Sequence, residues 1–195
     1  MTNDRQRLER CQREAEENPG SAVAHYNLGL AYTRRGQMES AETAYRKALE
    51  IDPELVEAWV NLGGALMLKW DFKGSMEANR EALKRKDDLV LAHYNTAQAS
   101  LHLGDAEAVV RSCERVLEID PTHAAGCYFL AVGLLATGEV ERARETAAQA
   151  DALGHSPAPD FLRALEKAQK ELDGEHDEGT GTHIGAEAPK DSNRR

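Results

Sequence analysis

Apolar and polar positions alternate along this chain with a helical rhythm, and the rhythm itself recurs. Leu, Ala, Val and aromatic residues return three and four apart, the spacing of one buried helix face. These stretches are interrupted in pairs. Gly36, Trp70-Asp71, Gly104 and Gly138 break each unit near its middle, and Asp52-Pro53, Asp120-Pro121 or a substitute closes it. Proline cannot continue a helix and pushes the residue before it out of helical conformation. The pattern therefore predicts helix, tight turn and second helix, several times over.

The unit length follows from self-similarity. Asn27-Leu28-Gly29 returns 34 residues later as Asn61-Leu62-Gly63, and Leu49-Glu50-Ile51-Asp52-Pro53 returns letter for letter as Leu117-Glu118-Ile119-Asp120-Pro121, two periods on. Four repeats result, at 22-55, 56-89, 90-123 and 124-155. Glycine costs about 1 kcal/mol inside a helix, so it belongs at turns or where backbones touch. Position eight (Gly29, Gly63, Ala97, Ala131) is therefore expected to face position twenty (Ala41, Ser75, Val109, Ala143) where the two helices cross. Residues 1-21 read as an N-terminal capping helix, a lone second helix over 4-17. Residues 156-173 read as a C-terminal capping helix entered through Ser156-Pro157, with Phe161, Leu165, Ala168 and Leu172 on one face. A solenoid needs such caps because its last unit otherwise exposes a core face. The span 174-195 holds a single large apolar residue, Ile184, and is expected to be a disordered tail.

Composition narrows the function. A formal net charge of −10 with basic residues dispersed argues against nucleic acid, whose phosphates would be repelled. No apolar run reaches the roughly 18 residues of a membrane span and the start lacks a secretory signal, so no membrane insertion and a cytoplasmic location are expected. Three cysteines at irregular spacing give neither a disulfide framework nor a zinc signature. Cys113 and Cys127, on adjacent helices, read as small hydrophobes. His25 and His93 share a repeat position and read as packing residues; His176 and His183 offer only a weak metal motif in the tail. No phosphate loop, nucleophile elbow or zinc-protease motif is present, so neither catalysis nor a cofactor is expected.

The repeat resembles the tetratricopeptide family. Repeat 1 carries its signature at Leu28, Gly29, Tyr32, Gly36, Ala41, Tyr45, Ala48 and Pro53, with His25 in place of the first aromatic. Repeat 2 matches at Trp59, Leu62, Gly63 and Ala82 but departs at Trp70, Asn79 and Asp87; repeat 3 keeps Gly104 and Pro121; repeat 4 keeps Leu130, Gly138, Ala143 and Ala150. The resemblance implies an all-α, right-handed superhelical solenoid whose first helices line an inner groove. Carried over position by position, it places Tyr26, Asn27, Leu30, Arg34, Asn61, Met67, Tyr94, Asn95, Gln98, Leu101, His102, Tyr128 and Phe129 among the groove residues.

Two features of that groove suggest a partner. The first is a row of amides at one repeat position, Asn27, Asn61 and Asn95, replaced in the last repeat by Phe129. Each offers a donor and an acceptor, as a peptide bond does, and the row is similar to the asparagine ladder of O-linked N-acetylglucosamine transferases, whose amides hold a peptide backbone. The second is an apolar, aromatic floor of Tyr26, Met67, Tyr94, Leu101, Tyr128, Phe129 and Leu135, with Arg34 and Glu57 the only fixed charges. Chaperone adaptors that clamp acidic tails need lysine and arginine beside the asparagines; here those positions are Tyr26, Leu30 and Leu91. The expected function is an adaptor that binds a neutral or hydrophobic protein segment. The alternatives are a self-assembling scaffold, a homo-oligomer, and a chaperone-like protein that keeps a hydrophobic client soluble.

Overall fold

The computed structural model describes residues 2-179, with side chains from 4 to 174. It contains α1 (Thr2–Glu17), α2 (Ala22–Arg34), α3 (Met38–Ile51), α4 (Val56–Leu68), α5 (Phe72–Arg85), α6 (Val90–Leu103), α7 (Ala106–Ile119), α8 (Ala124–Ala136), α9 (Val140–Ala152) and α10 (Pro159–Gly179). Helices α2 to α9 form four antiparallel pairs in the predicted repeats, each packed on the next. The first helices of successive repeats, α2, α4, α6 and α8, also meet one another, whereas successive second helices make no comparable contact among the described residues. The first helices therefore form the inner row of a curved stack.

Local chemistry sets the helix ends. Ser21 Oγ accepts from Ala24 N at 3.2 Å, and Asp71 and Asp105 carboxylates accept from Gly74 N and Ala108 N, each at 2.9 Å, filling donors that a helix start leaves open. The turns inside the repeats need a left-handed residue, supplied by Gly36, Gly104 and Gly138 at φ between 70° and 83°. In repeat 2 that residue is Trp70 at φ 64°, a strained conformation for a bulky side chain. Between repeats a ring nitrogen at position four closes the link. His25 Nε2 donates to Pro19 O (3.1 Å), Trp59 Nε1 to Pro53 O (2.8 Å) and His93 Nε2 to Asp87 O (2.9 Å).

The helix crossing differs from the expectation in one respect. Position twenty is buried in every repeat, but the residue lying directly over position eight is position twenty-four. A Cβ on Gly29 would overlap the Tyr45 ring, and one on Gly63 would overlap the Asn79 amide; Tyr45 and Asn79 are both fully buried. The same two positions hold Ala97 with Cys113 and Ala131 with Ala147, so glycine accompanies the larger partner. Val109, at position twenty, instead reaches the next repeat, where a Cβ on Gly133 would lie 3.0 Å from it.

The ends also depart in detail. Helix α10 begins at Pro159 and not at Ser156-Pro157, because a second proline keeps residue 158 out of helical conformation. Ser156 Oγ bonds Asp151 Oδ1 at 2.8 Å instead. The helix runs on to Gly179, past the expected boundary at 173: one glycine at 174 costs too little to end a segment rich in good helix formers. Phe161 and Leu165 are its buried residues. The remainder of the expected tail, 180-195, with His183 and the side chain of His176, lies outside the described residues.

The glycines separate two effects in one helix. At Gly64 a Cβ would meet only Asn95 Nδ2, at 3.9 Å. Gly64→Ala is expected to raise unfolding free energy by up to about 1 kcal/mol. Gly29→Ala and Gly63→Ala are expected to lower it by about 1–3 kcal/mol through overpacking. Urea denaturation of the three variants checks this; a common sign contradicts it.

Candidate functional site

The residues that the repeat register singled out lie on α2, α4, α6 and α8, in differing surroundings. Asn61 Nδ2 donates to Glu57 O at 2.7 Å and to Tyr26 Oη, one repeat away, at 3.3 Å. Both of its donor hydrogens are thus committed, and Oδ1 receives no hydrogen bond among the described residues. Asn95, 7% exposed, donates through Nδ2 to Asn79 Oδ1 at 3.5 Å. Asn79 in turn donates to Ser75 O at 2.8 Å and to Ser75 Oγ at 3.4 Å. A backbone carbonyl on α5 therefore fixes the orientation of Asn79, which fixes that of Asn95. Asn27 is half-buried, with no hydrogen-bond partner for its amide among the described residues.

The aromatic floor is tied to the same network. Tyr26 sits 6.0 Å from the Tyr45 ring, and burial, with the nearby Glu57 charge, pushes its phenol above the ordinary value. Tyr94 packs edge-on against Phe129 at 5.6 Å and lies 4.9 Å from the His123 ring; Gln98 Nε2 reaches its hydroxyl at 3.5 Å. Tyr128 continues the series with Phe129 at 5.8 Å and His155 at 5.0 Å. These contacts link Tyr26 with Asn61 between α2 and α4, and Tyr94 with Phe129 and Tyr128 between α6 and α8, whereas Asn95 bonds Asn79 of α5. Met67 and Leu101 are half-buried one turn further on, and Arg34 is exposed. Leu30 packs against the core formed by α2 to α5.

His102 goes elsewhere. It stacks on Phe72 at 4.3 Å with rings nearly parallel and lies 5.7 Å from Trp70, at the turn edge of repeats 2 and 3. Position thirteen falls in the last turn of the first helix, where the chain already bends toward the second. Around it Trp70 is 74% exposed and Leu68 61%, an aromatic and apolar edge that the sequence signalled only through a tryptophan in a glycine slot.

Two ion pairs bridge neighbouring elements. Lys69 pairs with Glu42 at 2.7 Å, holding that carboxyl below its usual value, and Arg142 of α9 pairs with Glu114 of α7 at 2.9 Å. Among the described residues no group of three or more His, Cys, Asp or Glu is placed to hold a metal ion, and no helix is long and apolar enough to cross a membrane. His25 and His93 are committed to the backbone contacts described above. The cysteines are free and buried.

A stack of helix-turn-helix units with an amide and aromatic inner row defines a helical-repeat solenoid of the interaction type. Models of the tetratricopeptide repeat match residues 22–55 and 100–168, together just over half of the sequence, and the chain belongs to that family. It is 38% identical over 65 residues to a probable biofilm formation methyltransferase WspC of Pseudomonas putida, a match spanning 33% of this chain and 15% of that protein. To DnaJ homolog subfamily C member 7 of Mus musculus it is 27% identical over 111 residues, 57% of this chain and 22% of that one. The matched region thus spans less than a quarter of these relatives. Among solved structures, YrrB, described as a TPR protein with an unusual peptide-binding site, superposes with a TM-score of 0.75 at 18% identity over 85% of each chain. PilF of Pseudomonas aeruginosa superposes with 0.74 at 21% identity, over 91% of this chain and 82% of the other. At such identities the structures show a shared fold; the general role of a protein–protein interaction module comes with the repeat family.

Burial sets the reactivity of the cysteines. The Cys113 thiol is pushed up to about 12, first by burial and then by Cys127 and Glu114. The folded protein therefore holds a proton that the unfolded chain releases near 9.0, so this residue's contribution to stability declines as pH rises from 9.0 toward about 12. Cys113→Ala should melt progressively closer to the parent across that window, and a thiol reagent should label the native protein only on unfolding. A constant melting difference, or rapid native labelling, contradicts this.

Proposed function

We propose that the inner groove binds an extended, largely apolar segment of a partner protein, so that the chain acts as an adaptor. Asn27, Asn61 and Asn95 address the backbone of the segment, while Tyr26, Tyr94, Tyr128, Phe129, Met67 and Leu101 supply apolar contact. The observation that carries the reading is the orientation of the amide row: hydrogen bonds from the protein hold Asn61 and Asn95 in place before any ligand arrives. Preorganised groups lose less entropy on binding than free ones. The near-absence of charge along the row, against ion pairs outside it, favours a segment of low charge.

A second reading, self-association, rests on the exposed edge at Leu68, Trp70 and Leu103. Contiguous exposed apolar groups are uncommon on monomers. Light scattering over a concentration series, repeated with Trp70→Ser, separates the two readings.

The asparagines differ in what their loss does. Asn27→Ala combined with Asn61→Ala removes hydrogen bonds worth about 0.5–1.5 kcal/mol each and is expected to weaken a captured partner by tenfold or more without lowering the melting temperature. Asn95→Ala leaves Oδ1 of the fully buried Asn79 without its donor and is expected to cost stability as well, about 1–3 kcal/mol. Calorimetry with the captured partner checks the first and denaturation the second. Unchanged affinity in the double variant overturns the groove reading.

A further inference from the structure

Repeat 2 carries at its turn a residue that the fold does not require. The left-handed slot holds glycine in the other three repeats and Trp70 here, at φ 64°. A bulky residue held in that region stores strain, and this one gains no burial in return, since its ring is 74% exposed. Phe72 and His102 stack on each other at 4.3 Å and meet the indole at steep angles, with ring centres 5.8 and 5.7 Å away, so the tryptophan projects from an aromatic shelf. Leu68 and, from the next turn, Leu103 are exposed beside it. The turns of repeats 1 to 3 lie side by side. Lys69, next to Trp70, pairs with Glu39 and Glu42 of α3, just after the first turn, and His102 leads into the third. Along this edge the anions are committed and the cations are not. Asp71 and Asp105 cap the helices that follow them, and Glu39 and Glu42 hold Lys69. Arg34, Arg35 and Lys73 are exposed and form no ion pair among the described residues.

From this juxtaposition we infer that the turn edge of repeats 1 to 3 docks on an anionic lipid surface. Trp70, Leu68 and Leu103 enter the interface, and Arg34, Arg35 and Lys73 meet the headgroups. Tryptophan favours the boundary between headgroups and acyl chains, and exposed Lys and Arg are drawn to anionic lipid. Charge decides against a second copy of the chain, which would bring the same unpaired cations face to face. The contact is with the surface and needs none of the length of a membrane-spanning helix. It stands independently of the groove reading and competes with self-association for the same edge.

The test is sedimentation of the full chain with unilamellar vesicles of phosphatidylcholine, alone or mixed with phosphatidylserine, at low and high salt. Binding to the mixed vesicles is expected to be about tenfold tighter than to phosphatidylcholine alone and to weaken in high salt. Lipid brominated on its acyl chains should quench tryptophan emission. Trp59, the other tryptophan, is half-buried with its ring nitrogen bonded to Pro53 O, so the quenched emission belongs to Trp70. Trp70→Gly should remove the quenching and weaken binding by about tenfold or more. Glycine suits the left-handed slot, so this variant should melt no lower than the parent, which separates loss of binding from loss of fold. Arg35→Gln with Lys73→Gln should lower the preference for phosphatidylserine by about tenfold. Absence of vesicle binding, equal binding to the two vesicle types, or binding that Trp70→Gly leaves unchanged overturns the inference. So does a dimer in light scattering that Trp70→Gly dissolves while the vesicles bind nothing, because it assigns the edge to a second copy.

Discussion

The close approach of two helices within each repeat is the contact on which everything else here depends. A side chain at position twenty-four must lie flat over position eight, and the pair has room for only so much volume. Repeat 1 meets the limit with Gly29 beneath the Tyr45 ring and repeat 2 with Gly63 beneath Asn79; repeats 3 and 4 use small residues at both sites. Because interiors are close-packed, this one pairing sets how the first helix sits on the second, and hence the stacking of first helices into an inner row.

In repeat 2 the same contact shapes the groove. An asparagine where repeat 1 has a tyrosine puts a polar group in a fully buried place, and such a group must be paired. Asn79 meets the requirement with Ser75 on its own helix and Asn95 on the next repeat. Core packing thereby reaches the first helix of the next repeat: the Asn95 amide is oriented by the fully buried Asn79. The glycines beside it divide the work, Gly63 admitting Asn79 inside and Gly64 placing no side chain against Asn95.

Much of this was legible in sequence because it is periodic. Leu-Gly at positions seven and eight, Gly at the turn and Asp-Pro at the close recur at 34 residues, and the four helix pairs stand within the limits that period set. What the period could not convey is contact between different positions. Asn79 appeared only as a departure from the repeat pattern; its burial beneath Gly63, with Ser75 one turn earlier, was the clue that it needs a further partner. Trp70 was legible as a turn residue but not as an exposed one, since its left-handed backbone is a property of the slot. His102 was assigned to the groove by register, yet stacking on Phe72 draws it to the edge.

The account stands on an amide network in which the protein holds the Nδ2 groups of Asn61, Asn79 and Asn95. Side-chain amide proton exchange, followed by nuclear magnetic resonance on the free protein, reads that arrangement directly. The Nδ2 protons of Asn79, Asn95 and Asn61 should exchange more slowly than those of Asn27, with Asn79 the most protected. Equal, solvent-limited exchange at all four would mean that the amides turn freely, and would contradict the account.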